Sequence, residues 1–90
     1  MKRLHVFISG KVQGIFFRQN VKEKADSLKI TGFIRNLQDG RVEALFEGEE
    51  SSLKEMLAFC KAGIKFANVE NIQIKQEKIK KEFKEFWILR

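Results

Sequence analysis

A hairpin signal near the middle of the chain restricts the possible folds more than any other feature of the sequence. Residues 32–37 and 41–47 each have the length and apolar content of a short strand. They are separated by Asp39-Gly40, a pair that strongly favours a tight turn between antiparallel strands. The sequence therefore predicts a fold that contains an antiparallel sheet.

The register of this hairpin follows from side-chain pairing across the two strands. A two-residue loop would place Arg35 opposite Ala44, among apolar neighbours. A three-residue loop over residues 38–40 instead pairs Arg35 with Glu43, so that opposite charges meet, and puts Gly40 in the left-handed conformation. We predict this second register, which also pairs Phe33 with Leu45 and lines one face with Ile34, Val42, Ala44 and Phe46.

Two segments with helical periodicity predict the helices. In the first, from about residue 17 to 29, the apolar positions Phe17, Val21, Ala25 and Leu28 recur at helical spacing. In the second, the stripe consists of Leu53, Met56, Leu57 and Cys60. Ser52 and Glu55 have the spacing of a capping box, and Gly63 is a natural end for this helix.

Three further segments predict strands. Leu4, Val6 and Ile8 alternate with other residues in the first strand, and residues 67–75 form a fourth strand with a bulge near Asn71. The lysine-rich stretch 75–84 is expected to be solvated. Residues 83–89 then supply a short last strand.

The order of these elements predicts an α+β fold of the ferredoxin-like, split βαβ kind. The pattern is β-α-β-β-α-β with a short C-terminal strand, and it places two helices on one face of a mostly antiparallel sheet. All 90 residues are expected to form a single domain. In this topology the first and second strands run parallel with the third between them, so their C-terminal ends lie at the same edge.

Composition excludes some classes of protein and leaves several kinds of partner open. The chain has 18 Lys and Arg against 12 Asp and Glu, and the resulting charge of +6 suits nucleic acid, an anionic membrane surface or a small anion. A single cysteine excludes a disulfide scaffold, and one Cys with one His excludes the usual structural zinc sites. No apolar run approaches membrane-span length, and the N-terminus has no signal-peptide core, so we expect a cytoplasmic protein.

The stretch from Gly10 to Arg18 joins the first strand to the first helix and is a candidate anion site. Backbone N–H groups at such a junction can converge on an anion, and an arginine adds a fork of donors that matches phosphate. The alternative is a tight turn with a solvated arginine. The spacing fits neither a Walker motif nor a dinucleotide fingerprint.

Asn36 is the second candidate residue. The preferred register places it on the helix-covered face at the C-terminal end of the second strand, at the edge of the sheet where the glycine loop lies. An asparagine there can hold a water molecule beside a bound anion, because its amide both accepts and donates hydrogen bonds. The alternative is an ordinary strand-end asparagine that caps a turn.

Three segments of the chain, in this order, resemble the signature segments of the acylphosphatases. They are Val12-Gln13-Gly14-Ile15-Phe16-Phe17-Arg18, Gly32-Phe33-Ile34-Arg35-Asn36 and Asp39-Gly40-Arg41-Val42-Glu43, and both Glu47-Gly48 and Phe86-Trp87-Ile88 fit the same pattern. The chain departs from the pattern at Lys29, where the family often has glycine, and at Gly63-Ile64, where it often has Gly-Pro. Both departures lie away from the candidate site.

The resemblance implies hydrolysis of acyl phosphates to a carboxylate and inorganic phosphate. Arg18 would bind the phosphoryl group, Asn36 would orient the attacking water, and no metal or organic cofactor would be needed. A substrate phosphate oxygen would take the proton of the water. The partner would be a small acyl phosphate, without nucleic acid or membrane. For the oligomeric state, a monomer is the simplest expectation. The phosphate-binding loop would comprise Gln13, Gly14, Ile15, Phe16, Phe17 and Arg18, and no acyl pocket is evident in the sequence.

Other functions remain possible from the residues alone. A ferredoxin-like sheet can stack RNA bases on exposed aromatic residues, here Phe7 and Phe33, although the expected RNP1 segment is missing. A module that binds a small anion without catalysis is a further alternative. Cys60 is expected to be a buried core residue rather than a nucleophile, and His5 a cross-strand surface residue rather than a ligand.

Overall fold

The computed structural model describes residues 1–89, which form five strands and two helices. The strands make one sheet in the order β4-β1-β3-β2-β5, in which β2 and β5 pair in parallel and the other neighbours are antiparallel. The predicted element order and the ferredoxin-like arrangement are confirmed. In chain order the elements are β1 (Lys2–Lys11), α1 (Ile15–Ser27), β2 (Thr31–Asn36), β3 (Val42–Gly48), α2 (Glu50–Ala62), β4 (Asn68–Glu77) and β5 (Phe86–Ile88).

Both helices pack on the same face of the sheet, around one hydrophobic core. Successive side chains of a strand point to opposite faces of the sheet, so every second residue of each strand faces the helices and the core. Each large apolar side chain buried in such a core contributes about 1.5–3 kcal/mol to folding. Neither helix in the described part of the chain is long and apolar enough to cross a membrane. The core includes Phe17, Val21 and Ala25 of α1, Leu53, Met56 and Cys60 of α2, and Val6, Ile8, Ile34, Val42, Ala44 and Phe46 of the sheet.

The β2–β3 hairpin has the predicted three-residue register. Arg35 lies opposite Glu43 and its Nε donates to that carboxylate, while Phe33 lies opposite Leu45. Gly40 has φ +96°, the left-handed backbone that the turn requires. This register leaves Asn36 on the same face as Ile34, beneath the helices.

Both helices begin earlier than the sequence predicts, α1 by two residues and α2 by three. Helix α1 begins at Ile15, and α2 begins at Glu50 with Glu49 as its N-cap. The predicted capping box at Ser52 is wrong: no side chain caps α2, and the Leu53 N–H donates to the Glu49 carbonyl at 2.9 Å. Because β3 ends at Gly48, a single residue connects it to α2, and this short connection fixes the start of the helix more strongly than the local capping signal.

The predicted bulge in β4 is confirmed. Ser9 of β1 pairs with Asn71, but the next residue, Gly10, pairs with Val69, so Glu70 is the extra residue. The bulge lies next to the C-terminal end of β1. It therefore bends the sheet edge immediately before the glycine loop begins.

The segment between β4 and β5, residues 78–85, crosses the helix-free face of the sheet, and we call it the strap. Its lysine side chains are exposed as predicted, but its backbone is bound to the sheet. The N–H groups of Lys80 and Lys81 each donate to the Glu47 carboxylate at 3.0 Å. Arg3 pairs with a strap carboxylate at 2.7 Å and is only 5% exposed, although the strand alternation alone placed it on an open face.

Lys29, one of the departures from the family pattern, has a left-handed backbone after the end of α1, with φ +58°. Because its side chain is exposed, we expect Lys29→Gly to remove the strain on its Cβ and raise the free energy of unfolding by about 1 kcal/mol. Urea denaturation measures the change. Lys54→Gly inside α2 is the control and should lower the value by about 1 kcal/mol. An equal loss in both variants would contradict the strain at Lys29.

Candidate active site

The candidate site lies where β1 and β2 end at the same edge of the sheet. Both strands are antiparallel to β3, which lies between them, so they run in the same direction. β1 leads into the glycine loop and α1, while β2 ends at Asn36. The topology therefore brings together two segments that are about twenty residues apart in the chain.

The N-terminus of α1 presents backbone donors to this edge. Its N-cap is Gly14, with φ +115°, and no side chain caps the helix. The first turn contains no acidic residue that would occupy the positive end of the helix. Since the first N–H groups of a helix have no partner within it, those of Ile15, Phe16 and Phe17 are suited to bind an anion.

Arg18 and Asn36 line one cavity, as the sequence analysis expected of neighbouring site residues. The cavity has a volume of about 550 Å³, and its remaining lining residues are Ile15, Ile88 and Leu89. The side chains of the other loop residues lie elsewhere. Phe17 is buried in the core, and the ring of Phe16 is exposed to solvent.

The Arg18 guanidinium is positioned over the start of its own helix. Its Nε donates to the Gly14 carbonyl at 3.4 Å, which is a long hydrogen bond, and Arg18 forms no ion pair within residues 1–89. The terminal nitrogens of its fork are therefore available to a bound group. An arginine in this position supplies the planar, permanently charged donor pair that a phosphoryl group requires.

Asn36 carries a buried acceptor. Its Oδ1 is buried and accepts no hydrogen bond from any group in residues 1–89. Buried side-chain oxygens without a partner are rare in proteins, and each needs an explanation. This one is explained if the oxygen accepts a hydrogen bond from a water molecule at the cavity.

Gln13 fixes the loop to the hairpin that carries Asn36. Its Nε2 donates to the carbonyl of Leu37 at 2.7 Å and to that of Arg41 at 3.2 Å. Leu37 directly follows Asn36, so one side chain couples the loop before Arg18 to the end of β2. The sequence predicts that Gln13 belongs to the loop, but it does not predict this role of the side chain.

Ile88 and Leu89 also line the cavity, although the sequence does not predict them as site residues. No local signal distinguishes them from the rest of an apolar last strand. Only the parallel pairing of β5 with β2, extended by the Leu89 N–H donating to the Ile34 carbonyl at 2.9 Å, brings them to the cavity. Only a prediction of the pairing between β5 and β2 would have identified these two residues as part of the cavity lining.

Neither Cys60 nor His5 takes part in this cavity, as expected. Cys60 is buried in the core, and burial raises the pKa of its thiol to about 12, which disfavours a nucleophilic thiolate. His5 lies between two carboxylates on the helix-free face, 2.6 Å from Glu43 and 3.2 Å from Glu77. Within the described residues, no three His, Cys, Asp or Glu side chains group as a metal site would require.

On the helix-free face, the two aromatic rings considered for RNA stacking each contact a neighbouring side chain. The Arg41 guanidinium lies 4.9 Å from the Phe7 ring centre, and the Phe33 ring packs against Phe83 of the strap at 5.7 Å. Glu43 adds negative charge to this face. Burial acts to raise its pKa, but hydrogen bonds from His5 and Arg35 outweigh burial and hold the pKa below its usual value.

The cavity is equipped to bind a phosphoryl group and to orient a water molecule. Among residues 1–89, its lining offers the fixed positive charge of Arg18 and the amide of Asn36 beside a helix N-terminus, and these residues contribute no carboxylate or imidazole. Chemistry of this kind depends on positioning and charge stabilisation rather than on side-chain proton transfer. It suits a reaction whose leaving group departs without protonation.

Comparisons with known proteins point to the same chemistry. A family model described as Acylphosphatase matches residues 4–88. An acylphosphatase of Methylococcus capsulatus is 42% identical over 90 residues, covering 100% of this chain and 98% of that protein. One from Pyrobaculum aerophilum is 47% identical over 90 residues, with 99% and 95% covered. The crystal structure of Bacillus subtilis acylphosphatase superimposes with a TM-score of 0.93 at 33% identity, over 100% of both chains.

Proposed function

The chain belongs to the acylphosphatase family, and from this membership and the cavity geometry we propose which of its residues carry out the reaction. It is a hydrolase of small acyl phosphates, the substrate class of the family. The reaction cleaves the carboxyl–phosphate anhydride and yields a carboxylate and inorganic phosphate. The RNA-binding and purely anion-binding alternatives find no support in these comparisons.

Arg18 and the loop before it bind the phosphoryl group. The free fork of Arg18 contacts two phosphoryl oxygens, and the backbone N–H groups at the start of α1 contact the third. Gln13 holds the loop with its backbone donors against the hairpin before the substrate binds. Charge on the phosphoryl oxygens is therefore stabilised without reorganisation in the transition state.

Asn36 orients the attacking water. The water donates one hydrogen bond to the buried Oδ1, which directs its lone pair at phosphorus. The new P–O bond forms from the water oxygen as the bond from phosphorus to the acyl oxygen breaks, and the electron pair leaves with the carboxylate. A phosphate oxygen takes the water proton, so that R–CO–OPO₃²⁻ and H₂O give R–COO⁻ and H₂PO₄⁻.

No general acid is required at the other end of the reaction. The leaving group is a carboxylate, which is stable as an anion at neutral pH because carboxylic acids have pKa values near 4. This agrees with the described part of the cavity lining, to which residues 1–89 contribute neither a carboxylate nor an imidazole.

The single observation that carries this proposal is that Arg18 and the unpartnered Asn36 oxygen line one cavity at a helix N-terminus. The test is hydrolysis of acetyl phosphate in water enriched in oxygen-18. We expect the purified chain to release one phosphate per carboxylate and to place the label in the phosphate, because the water attacks phosphorus.

Two other results would overturn the proposal. Label in the carboxylate would mean that water attacks the carbonyl carbon, so that Arg18 and Asn36 could not have the proposed roles. No release of phosphate at micromolar enzyme would exclude hydrolysis altogether. A parallel titration with RNA at two salt concentrations then tests the binding alternative.

We also propose that residues 1–90 act as one domain, as a monomer, in the cytoplasm. The family match from residue 4 to 88 and the single core support one domain. A monomer is the simplest oligomeric state for this proposal. Cys60, the one cysteine of the sequence, is a buried free thiol, which suits a reducing compartment.

A further inference from the structure

The cavity that holds Arg18 and Asn36 has a second, apolar side. Ile15 is 61% exposed, Leu89 is 37% exposed, and half-buried Ile88 lies in the same lining. We propose that these three side chains bind the acyl part of the substrate. They favour a large, apolar and uncharged acyl group over a short one. This inference rests on the proposed function and adds a specificity site to it.

The geometry of phosphoryl transfer determines which side of the cavity the acyl group occupies. The attacking and leaving oxygens lie on opposite sides of phosphorus, roughly in line. The Asn36 oxygen, which orients the water, is buried, whereas Ile15 and Leu89 are exposed and so lie at the mouth. With water at the inner end, the acyl group must point to the mouth.

The apolar side is held in place by the backbone. The Leu89 N–H donates to the Ile34 carbonyl at 2.9 Å, which extends the pairing of β5 with β2 by one residue. Lys22 on α1 donates to the Phe86 carbonyl at 3.0 Å and so ties β5 to the helix that Ile15 begins. The acyl group therefore meets a surface that is already ordered.

Contact with this surface favours large apolar acyl groups, because they remove more apolar area from water. Acetyl phosphate offers a single methyl group, whereas benzoyl phosphate offers an aromatic ring. A closed hydrophobic pocket discriminates by about 10-fold or more per methylene, but this one is open on one side. We therefore expect Leu89→Ala to raise KM for benzoyl phosphate about five-fold and to change KM for acetyl phosphate by less than about two-fold.

The experiment compares kcat and KM for acetyl, hexanoyl and benzoyl phosphates in the wild-type chain, Leu89→Ala and a matched control. Ile74→Ala is that control, because Ile74 is 50% exposed on β4, at the opposite edge of the sheet from β5. The control should keep wild-type values for all three substrates. Leu89→Met, which retains most of the apolar volume, should restore most of the preference for benzoyl phosphate.

A second measurement probes binding with molecules that the enzyme does not turn over. Competitive inhibition by methylphosphonate and hexylphosphonate probes the apolar side with the phosphoryl end held constant. In the wild-type chain the longer inhibitor should bind more tightly, and Leu89→Ala should reduce that difference while leaving inhibition by methylphosphonate unchanged. Thermal melting of each variant identifies any loss of folding.

Three outcomes would overturn the inference. An equal change for acetyl and benzoyl phosphates would show that Leu89 acts on the loop rather than on the acyl group. Unchanged values for all substrates and inhibitors would show that the acyl group lies elsewhere. Failure of the wild-type chain to hydrolyse even acetyl phosphate would instead overturn the proposed function, and this inference with it.

Discussion

Replacing Arg18 with alanine is expected to lower kcat/KM for acetyl phosphate by about 10³-fold or more. Arginines that stabilise a transferring phosphoryl group contribute about 10³–10⁵-fold in related chemistry. No other side chain in the described cavity lining is positively charged, so the backbone donors of α1 alone would remain. Steady-state assays with purified protein measure the loss.

Inorganic phosphate provides a binding readout for the same variant. As the product of the reaction, it should inhibit the wild-type enzyme competitively through Arg18 and the start of α1. Arg18→Ala should weaken that inhibition strongly. Arg18→Lys should keep part of it, because an ammonium retains the charge but not the planar fork.

Arg35→Ala is the matched control. Arg35 precedes Asn36 on β2, but its side chain lies on the helix-free face and pairs with Glu43. This variant should retain nearly wild-type kcat/KM. Equal activity in Arg18→Ala and Arg35→Ala would contradict the assignment of Arg18.

The parts of the site that the sequence predicts depend on local patterns. Alternation fixes the face on which Asn36 lies, and the charge pair between Arg35 and Glu43 fixes the hairpin register. The glycine loop then leads into α1 at the same edge of the sheet. These three inferences place Asn36 near Arg18, and the structure confirms that they line one cavity.

The parts that the sequence does not predict depend on contacts between distant segments. Arg3 is buried because the strap folds back across the sheet, and no pattern near Arg3 predicts that path. Leu89 reaches the cavity because three residues of β5 pair in parallel with β2. Three residues are too few for a hydrophobic pattern that would specify the partner strand. The apolar side of the cavity is therefore known only from the structure.

Replacing Asn36 with alanine is expected to lower kcat by about 10²–10³-fold while KM for acetyl phosphate changes little. Removing one group that is preorganised for the transition state has an effect of this size. KM should remain near its wild-type value because Arg18 and the loop, not Asn36, bind the phosphoryl group. Asn71→Ala, at an exposed position on β4, is the matched control and should retain wild-type kcat.

The free energy of unfolding distinguishes the catalytic role of Asn36 from the role of an asparagine that caps the turn after β2. A capping side chain forms a hydrogen bond whose removal would lower the free energy of unfolding by about 0.5–1.5 kcal/mol. The buried Oδ1 of Asn36 accepts no such bond within residues 1–89. Its removal should therefore leave the free energy of unfolding nearly unchanged, because no hydrogen bond within residues 1–89 to this oxygen is lost. Loss of stability together with unchanged kcat would establish the capping role and refute the catalytic one.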